Sequence, residues 1–324
     1  PNPAATFLSP HNAALNRIMV ANVEQLWEFR DEPCKVCGGR NFRVLGARGG
    51  DAHRDGAGTK TRIVKCRTCG LIFPNPMPYP AGEDTRYANV TDYFEDVMAV
   101  EGEAQRQHGD VLAREAERRL GRRGRFLDVG CGRGEVVRAA GERGWQAEGC
   151  DVSAEFVKYA CEVNRVNAHA ATLEQMRYPD DSFDAVTLVE VIEHLYEPAE
   201  TVRELSRVVR AGGLVYLSTP NEESVYQSLG NLYYKARGRD WVVNLCPTWN
   251  LYHVQGFSPR SLRYLLEHNG FEVEEMVVYP GTFAVPQGTG LWGQVERVGA
   301  RAIEQLANAL GRSPYMYAWA RKRG

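Results

Sequence analysis

The sequence predicts an α/β fold, a mainly parallel sheet with helices on both faces, with a small cysteine-bearing module ahead of it. Three observations predict it. Phe126-Leu127-Asp128-Val129-Gly130-Cys131-Gly132-Arg133-Gly134 carries an apolar strand into alternating glycines, and helix-forming sequence begins at Glu135. That is a strand, a tight loop and a helix N-terminus whose backbone N–H groups face a ligand. From there onward short apolar runs alternate with amphipathic ones. Finally, Cys34-x-x-Cys37 and Cys66-x-x-Cys69 place four thiols upstream at metal-knuckle spacing.

In chain order, Ser9-Pro10 reads as an N-cap and first helical residue, and Leu15, Ile18, Met19, Val23, Leu26 and Phe29 recur at helical spacing. Residues 1–30 are therefore expected to form a leading helix. The cysteine module spans 31–80, and its glycine-rich, basic stretch from Gly46 to Thr61 reads as a mobile loop. Pro74, Pro76, Pro78 and Pro80 predict a linker without regular structure. A helical lead-in occupies 81–124, its helix running from about Thr91 to Leu120. The main domain covers 125–324. Strands are expected at 125–130, 146–151, 168–172, 183–189, 213–219, 271–279 and 315–321, with helices at 134–143, 153–165, 198–209 and 259–269. An aromatic-rich insertion at 220–257 reads as a lid. A helix within 290–310 places Leu291, Val295, Val298, Ala302, Leu306 and Leu310 on one stripe, expected to pack on the core.

Composition excludes several classes. With 44% hydrophobic and 25% charged residues and a net charge of −2, neither nucleic acid nor membrane is a default partner. No run of ~18 apolar residues predicts a membrane span, and no basic-then-apolar leader is present. The chain begins with Pro rather than Met, which reads as processing or trimming. Eight cysteines without a disulfide-type spacing point to a reducing, cytoplasmic setting with one metal site. Two C-x-x-C knuckles, each followed by glycine (Gly38, Gly70), present Cys34, Cys37, Cys66 and Cys69 to one tetrahedral Zn²⁺.

The acid before the first glycine narrows the ligand. A carboxylate at Asp128 would repel pyrophosphate but would hold a ligand with an amino group. Asp151 closes the second strand 23 positions later, where a carboxylate accepts hydrogen bonds from both ribose hydroxyls. Its alternative role, capping the next helix, is already met by Ser153.

Residues 126–134, Asp151, Tyr178-Pro179-Asp180-Asp181-Ser182-Phe183-Asp184 and Arg207-Val208-Val209-Arg210-Ala211-Gly212-Gly213 resemble, in order and spacing, the motif series of class I S-adenosylmethionine-dependent methyltransferases. The resemblance covers roughly 125–280. It implies a Rossmann-like seven-stranded sheet with an antiparallel last strand. It also implies a donor site built from Asp128, Gly130, Cys131, Gly132, Asp151 and Val152, with Leu173 and Glu174 bordering the adenine. Tyr93, from the lead-in, and Glu190 complete that site.

Glu190-Val191-Ile192-Glu193-His194 ends the fourth strand, and His253 precedes the helix opened by Ser258-Pro259. The E-x-x-E-H string resembles that of ubiquinone-type O-methyltransferases and small-RNA 2′-O-methyltransferases. In one reading His194 or His253 is a general base. In a second, Glu190, Glu193, His194 and His253 hold Mg²⁺ or a similar ion. In a third, His194 only packs at a strand end. The cysteine lead-in resembles that of bacterial enzymes that methylate glycans or specialised metabolites, which implies a small-molecule acceptor. Ten Lys/Arg against four Asp/Glu over 30–70 leave nucleic-acid or protein docking as the minority alternative.

Overall fold

The structure, a computed structural model, describes residues 26–82, 90–249, 252–280 and 290–324; the side chains of 90–101 and 290–297 lie outside that description. Two small sheets come first. β1 (Trp27–Arg30) pairs antiparallel with β5 (Met77–Pro80), while β2 (Phe42–Arg48), β3 (Thr61–Cys66) and β4 (Ile72–Pro74) form an antiparallel sheet.

This region corrects the sequence reading at three points. The helical spacing that ends at Phe29 terminates in strand β1, with Leu26 and Phe29 exposed, and its earlier part lies outside the described residues. A few apolar residues do not distinguish a helix from a half-exposed strand. The prolines do not mark an irregular linker: Pro74 ends β4, and Pro78 and Pro80 stand in β5 opposite Phe29 and Trp27. A strand paired on one side has N–H positions that need no partner, and proline is tolerated there. Finally, β2 runs through Gly46 to Arg48, so the loop between the strands is shorter than expected, and Gly49 and Gly58 lie against Trp249.

The long helix α1 (Val90–Leu120) follows, then the alternating region. Its elements are β6 (Arg125–Val129), α2 (Glu135–Glu142), β7 (Gln146–Asp151), α3 (Ala154–Glu162), β8 (Ala168–Ala170), α4 (Leu173–Met176) and β9 (Phe183–Val189). After these come α5 (Pro198–Val208), β10 (Val209–Pro220), α6 (Val225–Ala236), α7 (Pro259–Glu267), β11 (Phe271–Tyr279), α8 (Gly290–Ala309) and β12 (Tyr315–Lys322). The seven strands lie in the order β11-β12-β10-β9-β6-β7-β8. All neighbours from β10 to β8 are parallel, and β12 runs antiparallel between β10 and β11. Strand β9 is buried along nearly its whole length, and its apolar run is broken only by Asp184 and Thr187, which are paired with Arg210 and Asp128. The helices start where the sequence caps them: the Ser153 hydroxyl accepts from Phe156 N–H at 3.3 Å, and Ser258 with Ser261 forms a reciprocal cap on α7.

Each face of the sheet has its own core. On one, Phe126, Ala185, Leu214 and Tyr216 lie under Leu112, Ala113 and Ala116 of α1 and Val136 and Ala140 of α2. On the other, Leu127, Val186, Leu188 and Leu217 meet Val202 and Leu205 of α5 and Leu262 and Leu265 of α7. This second core continues into the cysteine module through Val64, Leu71, Phe73 and Met77. Leu71, Phe73 and Met77 are fully buried; at ~1.5–3 kcal/mol for each such side chain, this packing couples the module firmly to the sheet.

The stripe on α8 does not pack as expected. Val298, Ala302, Leu306 and Leu310 are exposed, while Ala307 is buried and Ile303 partly so. Leu291 and Val295 lie among the side chains outside the description. No helix among the described residues is long and apolar enough to cross a membrane.

Candidate active site

The glycine loop connects β6 to α2 at the carboxyl end of the parallel strands. Gly130 has φ 72°, and a Cβ there would stand 2.3 Å from Cγ2 of Val191. Both facts require glycine. The N–H groups of Gly130 and Cys131 donate to the Cys150 carbonyl at 2.8 and 3.0 Å, locking the loop to β7. Asp151, at the end of β7, accepts from Gly132 N–H at 2.9 Å and from Ser153 N–H at 2.8 Å. Two backbone donors thus fix the orientation of its carboxylate.

Asp128 is buried, and the Thr187 hydroxyl donates to its Oδ1 at 2.6 Å. Burial, reinforced by the negative charges of Asp151 and Glu135, pushes its pKa up to about 7. Asp151 and Glu135 are also raised, in both cases chiefly by burial. Three acids around one loop favour a cationic ligand, whose charge would relieve all three. Glu135, buried in the first turn of α2 with no hydrogen bond to Oε2 among the described residues, is a member of this group that sequence reasoning missed. An acid opening a helix reads as an ordinary N-terminal charge, and only its burial distinguishes it.

The remaining residues assigned to the donor divide. Val152 is exposed beside Asp151. The Cys131 side chain is buried in a small core with Val137, Val157 and Ala160, and its backbone N–H and carbonyl are engaged by the Cys150 carbonyl and Gly134 N–H. Leu173 is buried in the main core, and Glu174 accepts from the Thr201 hydroxyl at 2.8 Å, turned toward α5. Tyr93 lies in the first turn of α1, its side chain outside the described residues.

At the end of β9 the chain turns sharply: Glu190 adopts φ 55°, a conformation uncommon for a residue with a Cβ, and a 3₁₀ turn covers Ile192–His194. Glu193 is buried, and the Thr219 hydroxyl donates to its Oε2 at 3.0 Å. Burial and the neighbouring Glu190 carboxylate push its pKa well above the usual range. The segment 252–257 folds back over this turn, with Val254 and Gln255 N–H donating to the Glu193 carbonyl at 3.0 and 2.9 Å. The His194 and His253 rings thereby stand 4.8 Å apart, edge to face. Burial and the His194 ring hold His253 well below the ordinary imidazole pKa. Ligand atoms of Glu193, His194 and His253 all lie within 4.8 Å of one another. Glu190 adjoins this trio through its charge on Glu193 without being one of the three.

A tyrosine wall beside Glu190 was not foreseen. Burial and the Glu190 charge raise Tyr216, Tyr279 and Tyr315, the last up to about 12. Tyr279 and Tyr315 are paired across β11 and β12, and Tyr317 lies 5.5 Å from Tyr216. His108 of α1 stands 6.0 Å from Tyr216, its pKa pulled down to about 4 by burial. These residues come from separate segments, and only strand register brings them together.

Of the expected lid, α6 carries exposed Tyr233, whereas Trp249 is buried under Arg48 and 5.3 Å from His53. The second half of the insertion thus packs on the cysteine module. There, the Sγ atoms of Cys34 and Cys69 are 3.4 Å apart, as are those of Cys37 and Cys66, and the four lie within 4.8 Å of one another. Although burial works against it, N–H groups of Cys69 and Thr68 help pull Cys66 down to about 7.

A model of the methyltransferase domain matches residues 100–276. The chain belongs to the S-adenosylmethionine-dependent methyltransferase family. Its relatives include a probable S-adenosylmethionine-dependent methyltransferase of Mycolicibacterium smegmatis, 32% identical over 65% of this chain and 73% of the relative. A ubiquinone biosynthesis O-methyltransferase of Nitrosospira multiformis is 28% identical over 47% of this chain and 64% of its own length. Among solved structures, an S-adenosylmethionine-dependent methyltransferase from Archaeoglobus fulgidus aligns with 22% identity and a TM-score of 0.48, covering 69% of this chain and 99% of that one. The methyltransferase match includes the glycine loop, the Glu190–His194 turn and His253, while the four paired cysteines fall before it.

Proposed function

We propose that this methyltransferase moves the methyl group of S-adenosylmethionine to a hydroxyl oxygen of a small-molecule acceptor. The donor's ammonium sits on Asp128, its methionine portion over Gly130 and Gly132, its ribose on Asp151 and its adenine against Val152. The observation that carries the acceptor side is the convergence of Glu193, His194 and His253 at the end of β9, the strand beside the one that opens into the glycine loop. The ubiquinone O-methyltransferases among the relatives support oxygen as the methylated atom.

In the reaction the acceptor oxygen attacks the methyl carbon in line with the departing sulfur. A C–O bond forms, the S–CH₃ bond breaks with its electron pair going to sulfur, and the acceptor proton must leave. His253, depressed below its ordinary pKa, is neutral at pH 7 and takes that proton. Burial and Glu190 bias Glu193 toward its neutral form, which limits competing charge beside the base. Alignment and exclusion of water supply the rest. The trio also offers two nitrogens and one oxygen to a divalent ion, a set that suits a zinc- or manganese-like ion better than Mg²⁺. Such an ion, when bound, would act as a Lewis acid on the acceptor oxygen.

The four cysteines of the module hold one Zn²⁺ in this reading. Tetrahedral Zn–S bonds of ~2.3 Å place sulfurs about 3.8 Å apart, close to the 3.4 Å of the two pairs. Docking of nucleic acid is disfavoured because much of the module's charge is spent internally: Lys35 on Glu197, Lys65 on Glu223, Lys60 on Asp51 and Arg54 on Asp55.

The test is transfer from labelled donor to a panel of phenolic and sugar hydroxyls, using His194→Ala and His253→Ala with and without chelator. Transfer should fall by ~10²–10⁴ in the base variant, with affinity for S-adenosylhomocysteine within about twofold. Full transfer by both variants under both conditions would refute the assignment.

A further inference from the structure

We propose that the cysteine-bound metal positions the acceptor side of the active site, by stiffening a small sheet whose outer edges clamp the segment carrying His253. The inference rests on the proposed zinc site and on the acceptor-side reading of His253, and its test separates the three.

The clamp has two jaws. At the β2 edge, Ala47 N–H donates to the Asp240 carbonyl at 2.7 Å and Val242 N–H donates to the Ala47 carbonyl at 3.0 Å. At the β4 edge, Ile72 and Gly256 exchange two hydrogen bonds, at 2.9 and 2.6 Å. Between the jaws, Thr59 N–H donates to the Thr248 hydroxyl at 2.8 Å, and Arg48 Nε donates to the Leu245 carbonyl at 3.2 Å. The segment so held is the one whose Val254 and Gln255 bind the Glu193 carbonyl and whose His253 faces His194. One stretch of chain is therefore fastened to the metal module on one side and to the catalytic turn on the other.

The glycines of the module fit this role. A Cβ on Gly46 would stand 2.1 Å from the Asp240 carbonyl oxygen, and one on Gly58 would stand 2.3 Å from the Trp249 ring. On Gly256 it would meet Glu222 at 2.8 Å and the Ile72 carbonyl at 3.1 Å. The glycine-rich stretch thus lets two backbones approach closely, a requirement that flexibility alone would not impose. The cysteines enter because they fix β3 and β4 from below. Cys66 ends β3, and its N–H donates to the Leu71 carbonyl at 2.8 Å, which sets the register toward β4. Cys34 and Cys69 are buried in the same core as Phe73, Val254 and Phe257. Without metal, four thiols at one point must separate or stay protonated, and β3, β4 and their passenger lose their anchor. The glycine loop and Asp151 lie outside this clamp.

The experiment compares three forms of the full-length protein: metal-loaded, stripped with a strong chelator, and a metal-loaded Gly46→Ala variant that wedges the β2 jaw without touching a cysteine. Metal content, S-adenosylhomocysteine affinity by calorimetry, methyl transfer from labelled donor, and the rate of His253 carbethoxylation mapped by mass spectrometry are read on each. Stripping should raise His253 modification about tenfold, as expected for local opening, leave the donor affinity within about twofold, and be reversed by Zn²⁺. Gly46→Ala should keep its metal, expose His253 to a similar degree, and not respond to added Zn²⁺. Unchanged His253 protection after proven metal loss overturns the proposal. So does donor binding lost in parallel with protection, which would mean the metal merely maintains the whole fold, or absence of metal from the cysteines. Exposure of His253 without loss of transfer would instead sink its catalytic role and leave the clamp standing.

Discussion

Donor affinity should depend on pH through Asp128. In the free protein its carboxyl titrates at about 7, because it is buried beside Asp151 and Glu135. A donor ammonium placed on it stabilises the charged form and drives its pKa back toward or below the usual ~3.9. Binding below pH 7 must therefore expel a proton, and affinity must rise with pH until the free carboxyl is ionised. With a free-state pKa near 7, the protonated fraction is ~0.9 at pH 6 and ~0.1 at pH 8, so affinity should be about tenfold weaker at the lower pH. Calorimetry at pH 6 in buffers of different ionisation enthalpy should show close to one proton released per donor bound. Asp128→Asn removes the titrating group; it should bind more weakly at pH 8 and lose most of the pH dependence. A wild-type affinity flat between pH 6 and 8, or a slope that survives in Asp128→Asn, would refute the placement of the ammonium.

Three further outcomes are expected. Glu193→Gln replaces an acid whose folded pKa is raised, so the variant should gain stability relative to wild type as pH rises above the unfolded value of 4.5. An acid whose folded pKa is raised contributes stability present below its unfolded pKa and lost as pH rises through the folded one, so the variant should flatten the alkaline fall in denaturant melts. A steeper fall would show that Glu193 is ionised in the fold. His108 behaves oppositely: its pKa is lowered to about 4, so its contribution is full above ~6.5 and lost on acidification. Wild type should lose about 2 kcal/mol between pH 7 and 5 that His108→Phe retains, measured as the difference between their urea midpoints. Gly130→Ala should weaken donor binding and lower the melting temperature, because the new Cβ meets Val191 at 2.3 Å in a left-handed backbone. Normal donor affinity in that variant would show that the loop is not held as described.

Legibility differed between parts of the chain according to what held them. The loop at 130–134, Asp151 and the Ser153 and Ser258 caps were readable because their physics is local: positive φ demands glycine, and a helix start demands an acceptor. The β9 strand was readable because burial on both faces leaves a mostly apolar run, broken only by Asp184 and Thr187. Pro78 and Pro80 misled because the rule against proline in strands depends on having neighbours on both sides, and β5 has one. The stripe on α8 misled because spacing identifies an amphipathic helix without saying which face its neighbours will accept.

What the amino-acid sequence determined by itself was the donor: an acid, three alternating glycines and a second acid, all within one strand-loop-helix-strand unit whose geometry is local. The cysteine pairs likewise announced a four-thiol cluster, since each knuckle is a short-range turn. What only the tertiary structure decided was the convergence on which the proposed acceptor side rests. Glu193, His194 and His253 meet because residues 240–249 and 252–257 are pinned between the cysteine sheet and the end of β9. The buried state of Asp128, Glu135 and Glu193, and hence their raised pKa values, likewise comes from elements far away in the chain. Backbone conformation follows from near neighbours, whereas convergence and desolvation follow from packing.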